Sequence, residues 1–261
     1  MAKLIKRMLL ALMLSAACAA QGATEIRVGA YHFPPYVIKP ESAGASGLLP
    51  ELLKALNQLQ DEYRFILVAT SAMRRYRDLQ SGRFDLILFE SPEWGWQHIA
   101  HESLGLHIED AEVYVARAQP DRDQRYFDDF TGKRMALYSG YHYSFAGFNS
   151  DRQFLTEHFN ALLTYSHDSN ITMLLLGRAD IALIPRSYMR TYQQRYPEQS
   201  TALLVSDRPD QVYQHQALFR PQSAISPQVF DALLEQLNSD QHLEKLLGRY
   251  NLRSTPTPSR E

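Results

Sequence analysis

Leu86-Ile87-Leu88-Phe89 is an unbroken apolar run bounded by Asp85 and Glu90. Such runs form strands that are covered on both faces. Immediately upstream, Gly82 supplies the left-handed residue that ends a helix. The pattern returns at residues 174–185, where Leu174, Gly177, Arg178 and Asp180 match Leu79, Gly82, Arg83 and Asp85. Apolar residues follow each copy. A helix–glycine–strand turn occurs in any α/β protein, but two copies in the same internal order predict two α/β lobes of one design.

The remaining pattern fills in both lobes. Residues 25–30 alternate as a strand, and Pro34 and Pro35 stop it within the aromatic loop Tyr31-His32-Phe33-Pro34-Pro35-Tyr36. Leu49, Leu52, Leu53, Leu56 and Leu59 have helical spacing, with Pro50 tolerated in the first turn. Residues 63–69 form a second strand, Ser71 caps the next helix, and residues 85–89 form the third strand. This β-α-β-α-β order predicts a parallel sheet, with ligands beyond the strand ends at 31–36, 70–74 and 90–96. Further on, strands are expected at 111–118, within 132–138, at 161–165, 180–184 and 213–219. Helices are expected at 151–159, from an Asn170 cap to Gly177, from Ser226, and from an Asp240 cap to about Tyr250. The tail, 254–261, is expected to be disordered.

Composition narrows the class. With 261 residues, 21% of them charged, and a formal net charge of -2, nothing points to nucleic acid. Lys3, Lys6 and Arg7, an apolar stretch at 8–17 and small residues after it read as a cleavable secretory signal over 1–23. Cleavage is expected between Ala19 and Thr24. Cys18 offers a lipidation alternative, but Ser15 stands three positions before it in place of a large apolar residue. No later stretch is apolar long enough to span a bilayer, so the expectation is a soluble, exported, periplasmic protein.

The chain resembles the bacterial solute-binding protein family 3, the amino-acid-type periplasmic binding proteins. The resemblance rests on the export signal, Phe33-Pro34-Pro35-Tyr36, Gly47 opening the first helix and both Gly-Arg-x-Asp turns. It also rests on Phe130-Thr131-Gly132-Lys133-Arg134 and the C-terminal pattern at 233–237 and 240–250. It implies a two-lobed type II fold, each lobe a mostly parallel sheet flanked by helices, with ligand held between them. Lobe 1 would comprise 24–110 plus 213–253, and lobe 2 residues 111–212. Two departures stand out. Family members that bind amino acids usually carry an arginine shortly after the third strand, where Glu90-Ser91-Pro92-Glu93-Trp94 stands here. They often carry an aspartate after the strand at 180–184, where Pro185-Arg186 stands here.

The candidate ligand-binding residues are those at the strand ends: Tyr31, Phe33, Tyr36, Arg74, Glu90, Trp94, Trp96, Ser139, Tyr141 and Arg186. The aromatic rings suit stacking on a ring or organic cation, or plain packing between loop and lobe. Glu90 suits a ligand cation or a solvated loop, and Arg74, with Arg75 competing, and Arg186 suit a carboxylate or phosphate, or plain exposure at the surface. The sign reversal at the two departures predicts a cationic ligand end facing Glu90 and an anionic end facing Arg186. His98, His101 and His107 lack the companions of a metal site, and no P-loop, dinucleotide fingerprint or nucleophile elbow occurs. No cofactor and no catalytic residue is therefore expected. The leading expectation is a monomeric, non-enzymatic module delivering a small polar solute to an inner-membrane ABC transporter or a sensor. The alternative is a periplasmic dehydratase or lyase on the same scaffold, with Glu90 as acid–base facing Arg74 or Arg186.

Overall fold

The computed structural model describes residues 22–239 and 241–255. Residues 1–21 of the expected signal, with Cys18, the expected Asp240 cap and the tail from Pro256 lie outside the described residues. The first half of the chain runs β1 (Thr24–Ala30), α1 (Leu48–Leu59), β2 (Tyr63–Ala69), α2 (Arg75–Gln80) and β3 (Leu86–Glu90). A long strand, β4 (Glu102–Arg117), leads to the second half. There β5 (Met135–Tyr138), α3 (Arg152–Phe159), β6 (Ala161–Thr164), α4 (His167–Leu175) and β7 (Ile181–Pro185) repeat the order. Two helices, α5 (Arg186–Arg195) and α6 (Pro197–Ser200), precede the long return strand β8 (Leu203–Phe219). The chain closes with α7 (Pro227–Asn238) and α8 (His242–Arg249).

The sheet order is β2-β1-β3-β8-β4-β7-β5-β6. Read from either edge it is the same unit: second strand, first strand, third strand, then a long strand running antiparallel. The two long strands pair with each other along both halves, with register breaks between Gly105 and Glu109 and around Val113. The result is a mixed α/β fold of two like halves joined by two crossing strands.

The repeated glycine turns are built the same way in the two halves. Gly82 and Gly177 have φ of +70° and +67°, the region where a Cβ is strained. Beyond each, an aspartate ties the first strand of its own half. Asp85 accepts from Arg27 N, Nε and Nη2 at 2.9, 3.1 and 2.9 Å, and Asp180 accepts from Arg134 N, Nε and Nη2 at 2.9, 2.9 and 3.2 Å. Asp85 also takes Arg220 at 2.9 Å and is sealed from solvent, whereas Asp180 is partly exposed. Burial opposes the Asp85 carboxylate, but hydrogen bonds from Arg27 and then Arg220 outweigh it and hold its pKa below the usual value. Its stabilisation is thus complete above the ordinary aspartate pKa and lost as pH falls through the depressed folded value. Asp85→Ala is expected to cost about 2–3 kcal/mol in urea unfolding at pH 7 and less at pH 2–3. Asp180→Ala should cost about 0.2–1 kcal/mol. Equal costs would contradict the burial difference.

Several expectations shift. Both long strands are about twice the length the sequence pattern suggests, because their added parts include exposed polar residues such as Glu102, Ser103, Glu109, Asp207 and Arg208. The α4 cap is Ser166, whose Oγ accepts from Ser169 N at 3.3 Å. Asn170 is instead fully buried and bonded to Thr164 at 2.6 Å. The helix α5 was not legible, since only Met189, Tyr192 and Ser187 along it are buried. Ser254 and Thr255, expected in a disordered tail, pair with Ile108 and His107 on β4.

Candidate functional site

A cavity of about 770 Å³ opens at the C-terminal ends of β1, β2, β5 and β6. The first half lines it with His32, Thr70 and Ser71, and the second with Tyr138, Ser139, His167 and Tyr188. Its size suits a small-molecule site. Lys39 and Arg195 on its wall are matched by Glu41 and Asp168, so its formal charge balances. Asp168 accepts from the Tyr188 hydroxyl at 2.6 Å.

Among the described residues lining the cavity, His167 is a buried polar group without a partner. It is only 2% exposed, and neither ring nitrogen has a hydrogen-bond partner. The rings of Tyr138, Tyr141 and Tyr188 surround it at 5.1, 5.6 and 5.1 Å. Burial, with a small contribution from His32, pushes its pKa down to about 3. At neutral pH it is therefore an uncharged imidazole whose donor and acceptor are both unpartnered.

Adjacent residues of the same loops turn away from this cavity and enclose a second space. Tyr31, Phe33, Trp94 and Tyr141 wall a void of about 10 Å³, joined by Arg75 and Glu112. The Tyr141 ring stands between the two spaces, 4.2 Å from Tyr138 on one side and 5.5 Å from Phe33 on the other.

Beneath the void lies a buried ion pair. Arg75 Nε is 3.1 Å from Glu90 Oε1, both side chains being sealed from solvent. Trp96 Nε1 donates to Glu90 Oε2 at 2.8 Å. The guanidinium carbon lies 5.0, 4.4 and 5.8 Å from the Tyr31, Tyr76 and Trp96 ring centroids. Burial opposes the Arg75 charge, but Glu90 and the tyrosines outweigh it and hold its pKa above the usual value. Burial pushes the Glu90 carboxyl up, against the pull of Arg75 and Trp96.

The ten residues singled out from sequence therefore separate. Tyr31, Phe33, Trp94 and Tyr141 wall the void and Ser139 lines the cavity. Glu90 is not an open cleft carboxylate: Arg75 already supplies its cation, and Trp96 is buried behind it. Arg74, the neighbour that was favoured, points to solvent and bonds Ser71 Oγ at 3.2 Å. Tyr36 is fully buried, its hydroxyl donating to Asp110 at 2.8 Å. Arg186 begins α5, half-buried, and lines neither space.

The halves touch where these loops meet. His142 Nε2 lies 2.8 Å from the Tyr76 hydroxyl. Gly140 has φ +85°, and a Cβ there would lie 3.2 Å from Ala72 Cβ and 3.3 Å from Met73 Cγ. Gly140→Val is therefore expected to wedge the halves apart. Small-angle scattering should show a larger radius of gyration than wild type, and an unchanged radius would mean that this contact does not set the closed arrangement.

Neither a protein-family model nor a curated protein sequence matches the chain. Solved structures do. A histidine kinase sensor domain with similarity to periplasmic binding proteins superposes with a TM-score of 0.67 at 17% identity, covering 90% of this chain and 99% of that one. The fold is that of the periplasmic binding proteins. The substrate-binding protein of an amino acid ABC transporter matches with a TM-score of 0.63 at 15% identity, covering 87% and 98%. An ancestral amino acid-binding protein, a precursor of cyclohexadienyl dehydratase, matches at 0.64 and 16%, covering 87% and 94%. In this periplasmic-binding-protein fold the strand ends of the two halves face the cavity described above.

Two residues, His167 and Glu112, escaped the sequence reading, and a third, Arg75, entered it only as a competitor of Arg74. Arg75 is distinguished from Arg74 only by which of them the short α2 turns inward. His167 sits one residue after the true helix cap and carried no motif. Glu112 did leave a trace: a single acidic residue inside the apolar stretch at 111–116, which is costly if both faces are covered.

Proposed function

We propose that this chain is a solute-binding module that captures a small polar or charged solute, amino-acid-like or amine-containing, by closing its two halves. The observation that carries this reading is the cavity of about 770 Å³ bounded by strand ends from both halves. The halves, 24–110 with 213–253 and 111–212, would rotate where the long strands cross. His167 would spend its free nitrogens on the solute, with Ser139, His32 and Tyr188 around it. Export through the N-terminal signal would place the protein in the periplasm as a monomer, where it would serve an ABC transporter or a sensor.

Binding rather than catalysis is favoured because Glu90, the acid–base of the alternative reading, is sealed against Arg75 and Trp96. A thermal-shift screen of amino acids, polyamines, organic acids and small peptides tests the proposal. A true solute at a hundredfold its dissociation constant adds about 2.7 kcal/mol of stability. His167→Phe should weaken that solute about 10- to 100-fold, the value of a lost buried hydrogen bond. The solute should be recovered unchanged after incubation, and its conversion to a product would replace this reading with the enzymatic one.

A further inference from the structure

Three carboxylates gather where the two long strands cross, and two of them are fully provided for. Asp110 accepts from Tyr36 Oη at 2.8 Å, Ser187 Oγ at 2.5 Å, Ser187 N at 3.1 Å and Ala111 N at 2.8 Å. Asp210 accepts from Tyr114 Oη at 2.6 Å and from Ser144 N and Phe145 N at 2.7 and 2.8 Å. Glu112 is the exception. It is 2% exposed, and its Oε2 is buried without a hydrogen-bond partner. No cationic group among the described residues comes within ion-pair distance of it.

The same side chain lines the void walled by Tyr31, Phe33, Trp94 and Tyr141. A carboxylate without a partner, facing a space with π-faces on its walls, is the chemistry that receives an organic cation. Among the described residues the one cation bordering the void, Arg75, is committed to Glu90. The void has room for about one water, so a larger group enters only as Tyr141 swings aside and the halves part.

Resting on the solute-binding reading above, we propose that Glu112 anchors the cationic end of the solute, an ammonium or guanidinium, in an inner compartment behind Tyr141. The rest of the solute then occupies the larger cavity, against His167. The groups facing Glu112 reinforce this. Asp110 on its own strand and Asp210 on β8 add negative potential, while Tyr36, Tyr141, Tyr143, Tyr213 and His142 are uncharged at neutral pH. Burial, then Asp110 and Asp210, hold the Glu112 pKa well above that of an ordinary glutamate. A cation arriving there displaces the carboxyl proton, so binding releases a proton and tightens as pH rises.

The test is calorimetry of the full mature chain with putrescine, lysine and arginine, and with 1,4-butanediol, norleucine and citrulline as counterparts lacking the terminal charge. Two buffers of different ionisation enthalpy report proton release in the wild type alone, independent of any variant. At least one cationic probe is expected to bind with proton release, and its counterpart to bind much more weakly. Glu112→Gln, with circular dichroism confirming the fold, should weaken the cationic probe about 100-fold or more and abolish the release. Affinity within a few-fold of wild type, no proton release, or equal binding of the uncharged counterparts would overturn the assignment of Glu112. A screen that finds only anionic or neutral solutes would do the same while leaving solute binding intact. Failure of every solute in the wider screen would instead overturn the solute-binding reading.

Discussion

Glu90→Leu is expected to destabilise the protein by about 3–5 kcal/mol, the cost of leaving one member of a buried ion pair alone. In a chain of this size that corresponds to roughly 10 °C in Tm. Arg75 is 1% exposed and boxed in by Tyr31, Tyr76 and Trp96. A guanidinium has no accessible neutral form, so without Glu90 its charge stays buried. The reverse substitution differs in kind. In Arg75→Met the orphaned Glu90 can take up a proton, which burial already favours. Arg75→Met should therefore cost less than Glu90→Leu, and the gap should widen at acidic pH. Urea unfolding of both variants at pH 5 and pH 8 measures this. An Arg75→Met cost equal to or above that of Glu90→Leu at pH 5 would mean that the pair is not held as a buried cation and anion.

Removing the ionisable group at Glu112 is expected to do the opposite. The folded chain holds the Glu112 proton well above the pH at which an unfolded glutamate releases it, through burial first and then Asp110 and Asp210. Its contribution is complete below the unfolded glutamate pKa of about 4.3 and is lost as pH rises toward the folded value. Glu112→Gln escapes that loss. It should be more stable than wild type by on the order of 1–3 kcal/mol at pH 7.5, with the gain vanishing near pH 4. A residue that lowers stability in this way fits a site that serves binding. Chemical denaturation across pH 4–8 checks it. A destabilised variant, or a gain independent of pH, would show that Glu112 is satisfied in the folded protein.

These two residues mark where the sequence is legible and where it is not. The doubled fold can be read because its signals are local: Gly82 and Gly177 end helices, Asp85 and Asp180 open apolar strands, and each contact they make closes within its own half. The aromatic loop at 31–36 and the loop from Ser139 were placed at the cleft for the same reason, since a parallel sheet delivers its strand ends to one side. Charge pairing is not local. Whether Arg74 or Arg75 turns inward depends on one step of rotation along a six-residue helix. Once Arg75 turns in, Glu90, 15 residues away, ceases to be available to a ligand. Asp110 and Asp210 meet donors from distant segments, Ser187 and Ser144, while Glu112 Oε2 meets none, a difference no single segment encodes. Helix α5 was missed because its polar residues bury only one narrow edge.

The most direct test of solute capture between the halves is hydrogen exchange of wild type with and without the strongest solute from the screen. Slowed exchange is expected together in residues 31–41 and 70–76 of one half and in 138–143 and 165–168 of the other. The stoichiometry should be one solute per chain, and the solute should be recovered unaltered. Protection confined to one half, or lying away from these strand ends, would contradict capture by closure.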